Sequence, residues 1–101
     1  MTEFVSVAKT GDISAGQGRV VEVNGKPIAL FNVDGTYFAI DNICLHQGGP
    51  LGEGALDGKV VTCPWHAWTY DVSTGECTFN SSIRVDRFEV KVENGEVKVT
   101  I

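Results

Sequence analysis

The sequence predicts an all-β, antiparallel fold, and three of its features carry that prediction. Asn24-Gly25, Asp34-Gly35, Asp57-Gly58 and Asn94-Gly95 punctuate the chain, each pairing residues that tolerate the positive φ of a tight hairpin. The runs between these turns are rich in β-branched and aromatic residues, which suit a pleated, half-buried surface. No stretch of ordinary helix length repeats its apolar residues with a helical period.

Taken in order, the first candidate strand is 4–8. Ser14-Ala15-Gly16-Gln17-Gly18 then gives a brief turn after Asp12, since its glycines oppose a lasting helix. Strands 18–23 and 26–33 flank Asn24-Gly25, and 37–41 follows Asp34-Gly35. Shorter candidates are 59–62, 69–71 and 76–79. Alternation is clearest in the last two, 86–93 and 96–101. Phe88, Val90 and Val92 face one way and Arg87, Glu89, Lys91 and Glu93 the other; past the turn, Val97, Val99 and Ile101 alternate with Glu96, Lys98 and Thr100. That period of two is an amphipathic hairpin.

At 101 residues, with 43% hydrophobic and 21% charged residues, the chain suits one compact domain spanning 1–101. Its net charge of −5 argues against a nucleic-acid partner, whose phosphates it would repel. No apolar run approaches the roughly 20 residues that span a bilayer, so no membrane partner is expected. The start, Met1-Thr2-Glu3-Phe4-Val5-Ser6, lacks the basic-then-apolar pattern of a secretion signal. The expected location is the cytoplasm, where three cysteines favour a metal site over a disulfide.

Two stretches break the strand pattern. Cys44-Leu45-His46-Gln47-Gly48-Gly49-Pro50-Leu51-Gly52-Glu53-Gly54 and Cys63-Pro64-Trp65-His66-Ala67-Trp68 read as loops shaped by glycine and proline. Both histidines of the chain lie in them, each just after a cysteine, and sixteen residues, Gln47 to Thr62, separate the two motifs. A core cysteine beside a surface histidine, twice by accident, fits poorly with Gly-Gly-Pro and Cys-Pro segments. Tetrahedral zinc held by two Cys and two His is a second arrangement, although finger sites pair Cys with Cys and place the histidines on a helix. The third is a [2Fe–2S] cluster in which two histidines replace two cysteines on one iron.

Here the residues resemble the Rieske family: Cys-x-His, sixteen residues, then Cys-x-x-His. The resemblance runs through Pro50-Leu51, the Gly54-to-Gly58 region and Tyr70-Asp71-Val72-Ser73-Thr74-Gly75, and so covers essentially the whole chain. It implies a Rieske-type antiparallel β-sandwich or barrel-like base carrying a small two-loop cluster-binding lobe. It puts Cys44 and Cys63 on the inner iron and His46 and His66 on the outer iron. Gln47, Pro50, Leu51, Pro64, Trp65, Trp68 and Tyr70 would surround the cluster. Pro50, Leu51 and Pro64 would rigidify and shield the loops, while Trp65 and Trp68 would cover the cluster or form an apolar rim. Cys77, away from both loops, is expected to be a buried thiol.

With two neutral imidazoles the cluster is uncharged when oxidised and singly negative when reduced, so it accepts an electron more readily than an all-cysteine cluster. High-potential members carry an extra disulfide between the loops and a serine aimed at a sulfide. The matching positions here are Gly49 and Trp65 for the disulfide and Trp68 for the serine, with Tyr70 matching a second hydroxyl donor. The expected potential is therefore at the low end, about −150 mV.

Four protein ligands leave no open position for a substrate, so the implied role is electron carriage rather than catalysis. The resemblance points to the ferredoxins that pass electrons from an NAD(P)H-dependent flavoprotein reductase to a terminal oxygenase, as components of dioxygenase-like systems. The alternative is the small Rieske-like subunit of an assimilatory nitrite reductase, against which the full ligand set counts.

Overall fold

The computed structural model describes residues 4–43, 49–65 and 68–100. Its larger sheet contains β1 (Val5–Lys9), β2 (Gln17–Val23), β3 (Lys26–Val33), β4 (Thr36–Asp41), β10 (Arg87–Glu93) and β11 (Glu96–Thr100). They run in the order β1-β11-β10-β4-β3-β2, and the edges β1 and β2 approach each other, so the sheet curls nearly into a barrel. The smaller sheet is a meander of β5 (Ala55–Asp57), β6 (Val60–Thr62), β7 (Thr69–Asp71), β8 (Glu76–Cys77) and β9 (Asn80–Arg84). Every pairing between these strands is antiparallel. Among the described residues no helix is long and apolar enough to cross a membrane.

Turn chemistry explains the long hairpins. Asn24, Asp34 and Asn94 have φ of 52°, 50° and 52°, and the glycine after each is also left-handed. Each pair is a two-residue loop whose twist matches the strands it joins. The fourth dipeptide behaves differently. Asp57 remains in β5, paired with Val60, and the loop is Gly58-Lys59 with glycine in the first central position.

β3 explains why the fold has two cores. Its Ile28-Ala29-Leu30-Phe31 run is wholly buried. Ile28 and Leu30 point into the curled sheet with Val21, Val23, Tyr37, Ala39, Val97 and Val99. Ala29 and Phe31 point the other way, joining Leu51, Val61, Cys63, Tyr70, Val72 and Cys77 beneath the smaller sheet. A strand covered on both faces reads as a continuous apolar run. The β10–β11 hairpin departs from the expected alternation at two points. Val92 is half exposed where β10 runs past β4, which it pairs only at Arg87 and Phe88. Thr100, expected to face water, is buried, at 8% exposure.

Candidate metal centre

The first arm of the site begins where β4 ends. Asp41 Oδ1 accepts a hydrogen bond from Ile43 N (3.0 Å), a local turn that ends the strand. Ile43 then bridges Pro50, bringing together the two ends of the segment that holds the first motif. Behind that bridge Leu51 N donates to Asn42 O (2.8 Å) and Gly52 N donates to Asn42 Oδ1 (2.7 Å). A 3-10 turn, Leu51–Glu53, leads into β5 and packs on β2 and β3. Leu51 lies wholly inside the second core, Pro50 is half-buried and Gly52 is buried.

The second arm joins β6 to β7. Cys63 N donates to Trp68 O (2.7 Å), tying together the two ends of this arm. Cys63 is 1% exposed, whereas Pro64 and Trp65 stand in solvent, Trp65 at 50%. Of the three residues expected to shield the loops, Leu51 is buried in the core, Pro50 is half-buried and Pro64 is exposed. Tyr70 is wholly buried and faces Cys77 across the β7–β8 ladder. Cys77 is the buried thiol that the sequence led us to expect. Trp68 is half-buried and meets Phe79 edge-on, with ring centroids 5.1 Å apart at 84°.

The arms meet at Gly49 and Cys63. A Cβ at position 49 would lie 2.8 Å from Cys63 Sγ and 3.0 and 3.1 Å from Trp65 Cγ and Cβ. A side chain there would force Cys63 or Trp65 to shift, so with these neighbours it is glycine that lets the returning first arm lie against the thiol of the second. Gly49 and Trp65 thus stand face to face, at the pair of positions that the family resemblance assigns to the extra disulfide of high-potential members.

Cys44, His46, Gln47 and His66 lie outside the described residues. Among those described, no three potential ligands gather, as expected when three of the four fall elsewhere. Two features escaped the sequence reading. Asn42 fastens the first arm, yet its partner is ten residues away and nothing local announces the contact. Phe79, expected in a strand, sits with Thr78 in the two-residue loop between β8 and β9 and is 61% exposed. Among the described residues it makes up, together with Ile43 and Trp65, most of the large exposed apolar side chains, and all three flank the two arms.

Comparisons with known proteins bear on this geometry. A family model described as the Rieske [2Fe–2S] domain matches residues 3–89. The ferredoxin component of the naphthalene 1,2-dioxygenase/salicylate 5-hydroxylase systems of Ralstonia sp is 36% identical over 95 residues, covering 93% of this chain and 91% of that protein. A solved chain from the complex of reduced oxygenase and oxidized ferredoxin in carbazole 1,9a-dioxygenase superposes with a TM-score of 0.85 at 35% identity, covering 94% of this chain and 99% of that one. A nitrite reductase small subunit from Mycobacterium tuberculosis has a TM-score of 0.92, with 100% and 96% coverage, but at 20% identity it shows the fold alone.

The described residues fit a [2Fe–2S] group. One cysteine sulfur is withdrawn from solvent, beside a glycine that leaves it room on the side of the opposing arm. Soft sulfur donors in a mostly apolar shell suit an iron–sulfur cluster.

Proposed function

The chain belongs to the Rieske [2Fe–2S] family, and on that premise we propose that it is a one-electron carrier. It takes electrons from an NAD(P)H-dependent flavoprotein reductase and delivers them to a terminal oxygenase. When bound, the cluster supplies reversible one-electron redox chemistry. Cys44 and Cys63 would hold one iron and His46 and His66 the other, one domain across 1–101 would carry them, and the compartment would be the cytoplasm.

The observation that carries this reading is the approach of Gly49 to Cys63, which sets the ends of the two motif-bearing arms against each other. The residues divide the work by depth. Leu51, Tyr70 and Phe31 keep water from the inner side around buried Cys63, while Pro64 and Trp65 are exposed and Trp68 is half-buried. Electron transfer falls steeply with distance, so the solvent side is the exit. Ile43, Trp65 and Phe79 offer apolar contact there for docking, and redox encounters of this kind are small and short-lived.

Relatives that are ferredoxin components of dioxygenase systems, matched over nearly their full length, support this role over the nitrite reductase subunit. Anaerobic titration with a calibrated reductant tests it. The reading predicts a coloured protein that takes up one electron per chain and passes it to a terminal oxygenase of this class. A colourless protein, or one that takes up two electrons in a single step, refutes it.

A further inference from the structure

Resting on the reading just given, we propose that Asn42 is a positioning residue. Its buried side chain clasps the neck of the first arm and thereby sets the separation of the two arms that hold the cluster. Asn42 is 5% exposed, one residue before the Ile43–Pro50 bridge. Its side-chain oxygen accepts from Gly52 N (2.7 Å) and its backbone oxygen from Leu51 N (2.8 Å), so a single residue receives two successive amides of the returning chain.

Gly52, held by that clasp, has no freedom of its own. A Cβ there would meet Val20 Cγ2 at 2.7 Å and both Val20 N and Asn42 Oδ1 at 3.0 Å. Its carbonyl oxygen in turn lies 3.3 Å from where a Cβ at Gly18 would be. The neck is therefore pinned to β2 of the larger sheet. Gly49, three residues before Gly52, lies against Cys63 Sγ. Any movement of the neck thus changes the distance between the arms.

An amide suits this position better than its alternatives. A carboxylate would bring a buried charge, and a hydroxyl on a shorter stem would not reach Gly52 N. Alanine would leave that buried donor without its partner. The clasp acts on the cluster only through the arm, so its loss should appear in cluster retention beyond any loss of overall stability.

Asn32 provides the control. It is also a buried asparagine, 6% exposed, which donates through Nδ2 to Ile13 O (2.8 Å) and accepts at Oδ1 from Gly35 N (2.8 Å), but it braces the larger sheet. The experiment measures thermal midpoint, reduction potential and the rate of bleaching by a chelator in the wild type, Asn42→Ala and Asn32→Ala. The expected result is that both variants melt at lower temperature, while only Asn42→Ala bleaches faster, by about tenfold, with a shifted potential.

Equal bleaching in the two variants, or wild-type bleaching and potential in Asn42→Ala, overturns the proposal while leaving the electron-carrier reading intact. If Asn42→Ala does not accumulate folded protein, Asn42→Ser is read by the same criteria. A wild-type protein that holds no iron and labile sulfide overturns both readings at once.

Discussion

The two sheets of this molecule are stabilised in different ways. The larger is built from strands of five to eight residues joined by hairpins, and it buries a conventional apolar core. The smaller consists of strands of two to five residues, too short to be stable alone, and its shape comes from close backbone contacts. A Cβ at Gly54 would run into Thr62 O, and one at Gly75 into Val85 O. In the larger sheet Gly25, Gly35 and Gly95 have open space around them and serve only to supply positive φ. The larger sheet is thus set by dipeptide hairpin turns and closed by the long-range pairings of β1 with β11 and β4 with β10, whereas the smaller sheet is a meander whose successive turns are set by close glycine–backbone contacts.

The largest expected effect is loss of the site without loss of the scaffold. Cys63→Ala should abolish visible absorbance and bound iron while far-ultraviolet circular dichroism keeps its β signature. Collapse of the β signal together with the colour would show that the two halves are not separable. Next, Gly54→Ala should cost about 3 kcal/mol in denaturant unfolding, because a methyl would be forced against backbone. Gly25→Ala should cost only about 1 kcal/mol, the penalty of left-handed φ in open space. Equal costs would erase the contrast between the halves.

How far each half could be read from sequence follows the same division. β3 and β7 fall where their β-branched and aromatic runs place them, and Asn24-Gly25, Asp34-Gly35 and Asn94-Gly95 turn as their chemistry requires. β5 and β9 were not legible. Ala55-Leu56-Asp57 has no run to detect, and Asn80-Ser81-Ser82-Ile83-Arg84 is a polar strand, mostly exposed, that exists through its pairing with β8. The Cys-His motifs stood out because both histidines of the chain lie in them. The facing of Gly49 and Trp65 was foreshadowed only through the family resemblance. Asn42 and Phe79 act through partners that no local pattern reveals, Gly52 and Trp68 respectively.

Two smaller effects sharpen the comparison further. His66→Cys, which adds a negative ligand to the site, should lower the potential by about 125 mV, an even share of the interval between plant-type and low-potential Rieske centres. A rise, read by protein-film voltammetry, would contradict the charge argument.

The smallest effect lies at the far end of the scaffold. A hydrogen bond from Lys98, joined by Lys91, holds the exposed Glu93 carboxyl below its ordinary pKa. A carboxyl depressed in the folded state contributes stability above its unfolded pKa and loses it as pH falls through the folded value. Glu93→Gln should therefore lower the melting temperature slightly at pH 7, and the difference from wild type should close as the solution is acidified below the ordinary carboxylate range. A difference that persists in strong acid would assign it to packing.

The central claim, that the two arms jointly hold one [2Fe–2S] cluster through sulfur and nitrogen, has a direct spectroscopic test. The chain contains only His46 and His66, so 15N-histidine labelling marks no other side chain. Pulsed electron paramagnetic resonance on the reduced, labelled protein should show coupling of the cluster spin to two histidine nitrogens. A cluster signal without histidine coupling, or no cluster signal from protein produced anaerobically with ample iron, would contradict the account.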